Sequence, residues 1–128
     1  MPYRTDMFDV TPNSARNVIT ITYSGKVEPV DLVRGRPKLA AALAAVRPGF
    51  RLLTDLSGLV EMQYACASEV EAMMDLVRKK GVAEVVRVVP DPHKDIGFKV
   101  MSFFHYGRAV PVLTCDTRAE ALEKLAAG

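Results

Sequence analysis

Two histidines and two cysteines, with a few hydroxyl residues beside turn-forming ones, are the groups in this chain suited to reactive or ligating chemistry. His93 stands within Asp91-Pro92-His93-Lys94-Asp95, where a neighbouring carboxylate can fix an imidazole tautomer. A metal needs three or four convergent ligands, and this spacing matches no common ligand motif, so the segment reads as a solvated loop. His105 falls near the end of an expected helix, where the dipole favours a cation, and that suffices to explain it. Cys66 at a helix N-terminus would be a low-pKa nucleophile. It shares a stripe with Val70, Met73 and Val77, however, which makes it a buried, inert thiol. Cys115 follows the last expected strand and is expected to be the more exposed of the two. The sequence contains no Gly-x-Ser-x-Gly elbow, phosphate-binding glycine loop, HExxH or paired-carboxylate motif. The expectation is a protein that is not an enzyme and uses neither metal nor cofactor.

The elements that must position these groups follow from periodicity. Asn17 to Tyr23 alternates, with Ile19, Ile21 and Tyr23 on one face, and Met7, Phe8 and Val10 precede it. With turn chemistry at Thr11-Pro12-Asn13-Ser14, a hairpin from about Asp6 to Gly25 is expected. Leu32, Arg36, Leu39, Leu43 and Val46 fall on a helical stripe that Gly35 and Pro37 disturb. This predicts a short turn at Pro29 to Val33 and a main helix from near Pro37, ended by Pro48-Gly49. Phe50 to Leu56 reads as a strand, with a turn at Ser57-Gly58, and a helix follows from about Gln63 to Lys80, capped by Gly81. Ala83 to Val89 is apolar on both faces and belongs inside the sheet. Asp95 caps a third helix carrying Ile96, Val100 and Phe103. Ala109 to Leu113 is an edge strand because it contains Pro111. Thr117-Arg118-Ala119-Glu120 matches a capping box that opens a last helix with Ala121, Leu122 and Leu125 inward. Strands alternating with helices form parallel pairs, so the fold class is α/β, a mixed five-stranded sheet with one antiparallel hairpin strand and about four helices.

Composition narrows the function classes. The 128 residues, 49% hydrophobic and 25% charged, fit one domain spanning 1–128. Seventeen basic against fifteen acidic residues leave +2, scattered along the chain, too weak a footprint for nucleic acid. Leu39 to Val46, the longest uncharged apolar run of the first half, falls far short of the roughly 18 to 20 residues that span a bilayer. Met1 to Val10 is interrupted by Arg4, Asp6 and Asp9 and does not read as a secretion signal. Two distant cysteines without CxxC spacing read as reduced thiols, and a cytoplasmic protein is expected.

The element order and three local patterns resemble the SpoIIAA-like branch of the STAS fold, the sulfate transporter and anti-sigma factor antagonist domains. Ser24-Gly25-Lys26-Val27 followed by Glu28-Pro29-Val30-Asp31 resembles that branch's entry to its first helix, with a proline a turn later at Pro37. Arg51-Leu52-Leu53-Thr54-Asp55-Leu56-Ser57-Gly58 resembles its central strand. Val112-Leu113-Thr114 through Thr117, Glu120, Ala121 and Leu122 resembles its closing strand and helix. The likeness covers about Val18 to Leu125. Anti-sigma factor antagonists carry an Asp-Ser-Ser-Gly type segment whose serine is phosphorylated by a partner kinase. The matching stretch here is Gln63-Tyr64-Ala65-Cys66, which holds no serine or threonine. Ser68 and Tyr64 are the nearby hydroxyls open to phosphorylation, and neither carries over from the motif.

The resemblance implies a non-enzymatic regulatory or protein-interaction module without the usual phosphoacceptor serine, binding a protein partner or itself as a homodimer. In open parallel sheets ligands gather beyond the strands' carboxyl ends, which here carry Ser57, Gly58, Asp91, His93 and Thr114. The same residue types also serve as ordinary turn and capping groups. Phe98, Met101 and Phe104 lie off the main stripe of the third helix. They add either core packing, a partner surface or, as the alternative function, a pocket for a small apolar or lipid-like ligand between sheet and helix. With Tyr64, these nine residues form the expected ligand- or partner-binding set.

Overall fold

A computed structural model of the chain describes residues 7–89 and 109–127. Five strands form one sheet in the order β1-β2-β3-β4-β5: β1 (Phe8–Asn13), β2 (Val18–Val27), β3 (Arg51–Met62), β4 (Glu84–Val88) and β5 (Val112–Cys115). β1 pairs antiparallel with β2, and all later neighbours are parallel. Three α-helices lie among the described residues: α1 (Pro29–Ala45), α2 (Ala67–Lys80), preceded by a 3-10 turn at Tyr64–Cys66, and α3 (Arg118–Ala127). About four were expected; the helix from Asp95 lies outside the described residues.

Strand alternation splits the core in two. Ile19, Ile21, Leu52, Leu56 and Val85 face α1 and α2, in a cluster that also holds Leu32, Leu39, Val70 and Val77. Leu53, Val86, Val88 and Cys115 face the other way, toward Ala121 and Leu125 of α3.

Several expectations are corrected. The β1–β2 turn lies at 14–17, so Thr11 and Pro12 stay inside β1. Pro12 is tolerated there because β1 is an edge strand. Asn17 takes the left-handed conformation at φ 57°, and its side chain bonds both the N–H and the carbonyl of Arg47, pinning the hairpin to the end of α1. The first helix is not broken at Gly35 and Pro37: α1 is continuous, with Pro29 in its first turn and Pro37 inside it. Packing overrides the local signal. Gly35 is buried, and a Cβ there would stand 2.1 Å from Phe8 Cδ2, so only glycine lets the helix press onto β1 at that point. β3 does not turn at Ser57-Gly58 but runs on to Met62, paired with β2 through two irregularities near Ser24 and Gly25.

Other features follow the expectation. Gly81 caps α2 at φ 99°, its N–H donating to the Arg78 carbonyl. β4 lies inside the sheet. β5 lies at an edge of the sheet as expected, but its bounds are corrected: it runs from Val112 to Cys115 rather than Ala109 to Leu113, leaving Pro111 just before the strand, where its carbonyl accepts from Val85 N–H. Cys66 is fully buried. Cys115, expected to be the more exposed of the two, is buried as well at 2%, because it packs with Val88, its register partner, under α3.

Candidate functional site

At the carboxyl ends of the central strands the sequence places an acid where burial demands a partner. Asp55 is 4% exposed, and one of its oxygens accepts from Ser57 N–H at 2.9 Å and Ser57 Oγ at 2.6 Å. The other accepts from Arg118 at 2.7 Å. Burial alone would push this carboxyl up. The Ser57 hydroxyl and amide, followed by the Arg118 guanidinium, outweigh it and hold the group below its usual range. Such a carboxylate is a weak base, and the Ser57 hydroxyl donates to it rather than to an imidazole or amine that could take its proton.

Arg118 belongs to the first turn of α3, where a cation opposes the helix dipole. Its retention there is accounted for by Asp55. The helix start is otherwise capped as the sequence predicts: Thr117 Oγ1 accepts from Glu120 N–H at 3.1 Å, while Glu120 reaches back to Asp116 N–H at 3.0 Å. At the far end of α3 the Leu125 carbonyl accepts from Arg51 at 2.8 Å. β3 therefore holds α3 at both ends. Four strand residues span about 13 Å, and seven helical residues span about 10 Å, so Arg51 and Asp55 match the separation of Leu125 and Arg118.

A second region forms where α1 and α2 begin. Glu28 caps α1, its N–H donating to Asp31 at 2.8 Å, and its carboxylate accepts from Gln63 at 3.3 Å. That bond draws the entrance of α2 to the entrance of α1. Val30 and Val33, three residues apart on α1, are 43% and 42% exposed, and Tyr64 is 74% exposed. Beside them a cleft of about 510 Å³ is lined by Met7, Gly25, Lys26, Glu28, Glu61 and Gln63. Cys66 lies beneath, its thiol donating to the Val27 carbonyl at 3.6 Å. Burial first and the Asp31 carboxylate second push it above the ordinary thiol range. Burial also raises Cys115, with Glu120 as the second cause.

The expected site residues therefore scatter. Ser57 joins Asp55 and Arg118 on the α3 face. Gly58 is exposed three residues beyond the last β3–β4 pair, opposite Ser24 of β2. Thr114 is exposed on β5 and accepts from Arg87 Nε at 2.9 Å. Tyr64 stands at the α2 entrance, and Ser68 is exposed on the first turn of α2. Asp91, His93, Phe98, Met101 and Phe104 lie outside the described residues. Asp55 and Arg118 were missed by the sequence reading. Their signal was an acid inside an apolar strand and a cation at the wrong end of a helix. Among the described residues no group of three or more His, Cys, Asp or Glu side chains is placed to hold a metal ion. No helix there is long and apolar enough to cross a membrane.

This architecture is a SpoIIAA-like, STAS-type α/β fold. The chain is similar to an uncharacterized protein of the DUF3478 family with a SpoIIAA-like fold from Shewanella loihica PV-4. That match has a TM-score of 0.66 and 17% identity over 98% of each chain. It is also similar to the anti-sigma factor antagonist SpoIIAA in its unphosphorylated form, with TM-score 0.65 and 17% identity over 93% of this chain and 97% of that one. The Bacillus cell fate determinant SpoIIAA in its phosphorylated form matches with TM-score 0.61 and 20% identity over 92% of this chain and 98% of that one. No protein-family model and no curated protein matches the sequence.

Proposed function

We propose that this chain is a non-enzymatic regulatory module that binds a protein partner through the rim where α1 and α2 begin. The observation that carries the reading is the exposure of Tyr64, Val30 and Val33 beside a cleft bearing Lys26, Glu28 and Glu61. Apolar side chains flanked by charge suit a protein surface with an apolar centre and polar margin. The solved relative described as an anti-sigma factor antagonist supports a regulatory role by fold analogy. The absence of serine and threonine from 63–66 supports regulation by binding rather than through the usual phosphoacceptor. Ser57 supports the non-enzymatic part, because its hydroxyl is tied to a carboxylate held acidic. Two buried, unpaired thiols suit a reducing compartment such as the cytoplasm.

A photo-crosslinking residue at Tyr64 or Val33, expressed in the native cell, is expected to trap a discrete partner. The same probe at Leu76, exposed on α2, is expected to trap none. Equal trapping from all three positions, or from none, overturns the reading.

A further inference from the structure

On the opposite face of the sheet, α3 leaves part of its apolar surface uncovered. Ala121 and Leu125 are buried beneath it, but Leu122 is 49% exposed. Leu122, Leu125 and Ala126 form one wall of a groove of about 250 Å³, with Val18 and Thr20 of β2 as its floor. Asn13 at the end of β1 and Arg16 in the hairpin turn complete its lining. Residues three and four apart on a helix share a face, so this wall is continuous.

The groove is smaller than the roughly 300 to 1,000 Å³ of typical small-molecule pockets. It suits a side chain better than a ligand. Its charges are also unanswered within the molecule: among the described residues no carboxylate pairs with Arg16 and no cation pairs with Glu123, which follows Leu122 directly on α3. The chain thus carries a protruding leucine, a groove beside it, a free cation at the groove and a free anion beside the leucine.

We infer that this face is a self-association surface, in which Leu122 of each copy enters the groove of the other and Arg16 meets the second copy's Glu123. A two-fold axis relates both contacts, as an isologous interface requires. The surface lies on the α3 face of the sheet, whereas Val30, Val33 and Tyr64 belong to the entrances of α1 and α2, and the inference does not rest on the partner reading.

Sedimentation over a range of concentrations tests it, with Arg16→Glu, Glu123→Arg, their combination and Leu122→Glu. The wild-type protein is expected to dimerise reversibly, more weakly as salt rises. Leu122→Glu is expected to abolish the dimer. Each single charge reversal occurs twice per dimer and is expected to weaken it about tenfold, while the double reversal restores it to within about threefold. Tyr64→Glu is expected to leave it unchanged. Both charge variants sit at exposed positions, so the rescue remains readable even if Leu122→Glu fails to fold. A wild-type protein that stays monomeric at every concentration overturns the inference. So do a dimer indifferent to the charge reversals, a double reversal no better than the singles, and a dimer lost with Tyr64→Glu alone.

Discussion

Among the described residues, twenty-two buried side chains form one cluster on the face of the sheet covered by α1 and α2, and seven form another on the α3 face. The larger side is held by apolar contact, including five fully buried leucines and isoleucines among Ile19, Leu32, Leu52, Leu56 and Leu59. The smaller side adds polar fastenings at both ends of its single described helix. Apolar burial contributes in proportion to area, so a short helix with two inward residues gains little from packing. Directional bonds fix its position instead. Among the described residues, apolar packing thus dominates the first side and directional bonds position the second, whose helix is expected to open locally at lower cost.

The largest test of that contrast is a cavity on each side. Leu52→Ala, at a fully buried position of the larger cluster, is expected to cost about 4 kcal/mol. It should shift the urea midpoint of the entire molecule. Leu125→Ala is expected to cost about 2.5 kcal/mol, and hydrogen exchange should report the loss in α3 before anywhere else. Equal global effects from both would erase the distinction.

Gly35→Ala probes the close approach of α1 to β1. Overpacking against Phe8 is expected to cost about 3 kcal/mol, offset by about 1 kcal/mol from replacing a helical glycine, for a net loss of about 2 kcal/mol. Thermal unfolding of the variant checks it.

Arg118→Ala leaves the buried Asp55 carboxylate with Ser57 alone, at an expected cost of about 2 kcal/mol. The pH dependence gives the sign. A carboxyl held below its unfolded value contributes stability that is present above the unfolded pKa and is lost as pH falls through the depressed folded one. In Arg118→Ala the folded value moves toward the unfolded one, so this carboxyl's share of the acid loss is expected to shrink and to end at higher pH, read from urea midpoints across the carboxylate range. An unchanged acid limb would remove Arg118 from the account.

The smallest expected effect is that of Thr117→Ala, which removes the cap from α3 and is expected to cost about 1 kcal/mol. It should accelerate thiol labelling of Cys115 more than of Cys66, since only the first lies under that helix.

Much of the architecture was legible because periodicity and burial agreed. Ile19, Ile21 and Tyr23 alternate and are all buried, and Thr117 with Glu120 announced the cap of α3. The failures came where a distant contact reversed a local signal. Ser57-Gly58 has turn chemistry, yet β2 runs alongside through Ser24 and Gly25 and keeps the strand extended. Gly35 and Pro37 look like a break, yet Phe8 fills the space that the glycine leaves. Cys115 looked peripheral because no one-dimensional pattern shows which helix folds back over a short edge strand. The polar cluster was half visible: Ser57 was marked for its position, while its partner Asp55 lies two residues away and is joined by Arg118 from sixty-three residues along the chain.

The two fastenings of α3 carry one more implication. Arg51 and Asp55 belong to one strand, whereas the apolar underside of the final helix, Ala121 and Leu125, rests with Val86, Val88 and Cys115 of the two strands beyond it. The helix is thus a clasp across three strands: were β3 to slip against β4, either its polar ends or its apolar seat would have to let go. The carboxyl-terminal segment locks the alignment of the strands it covers.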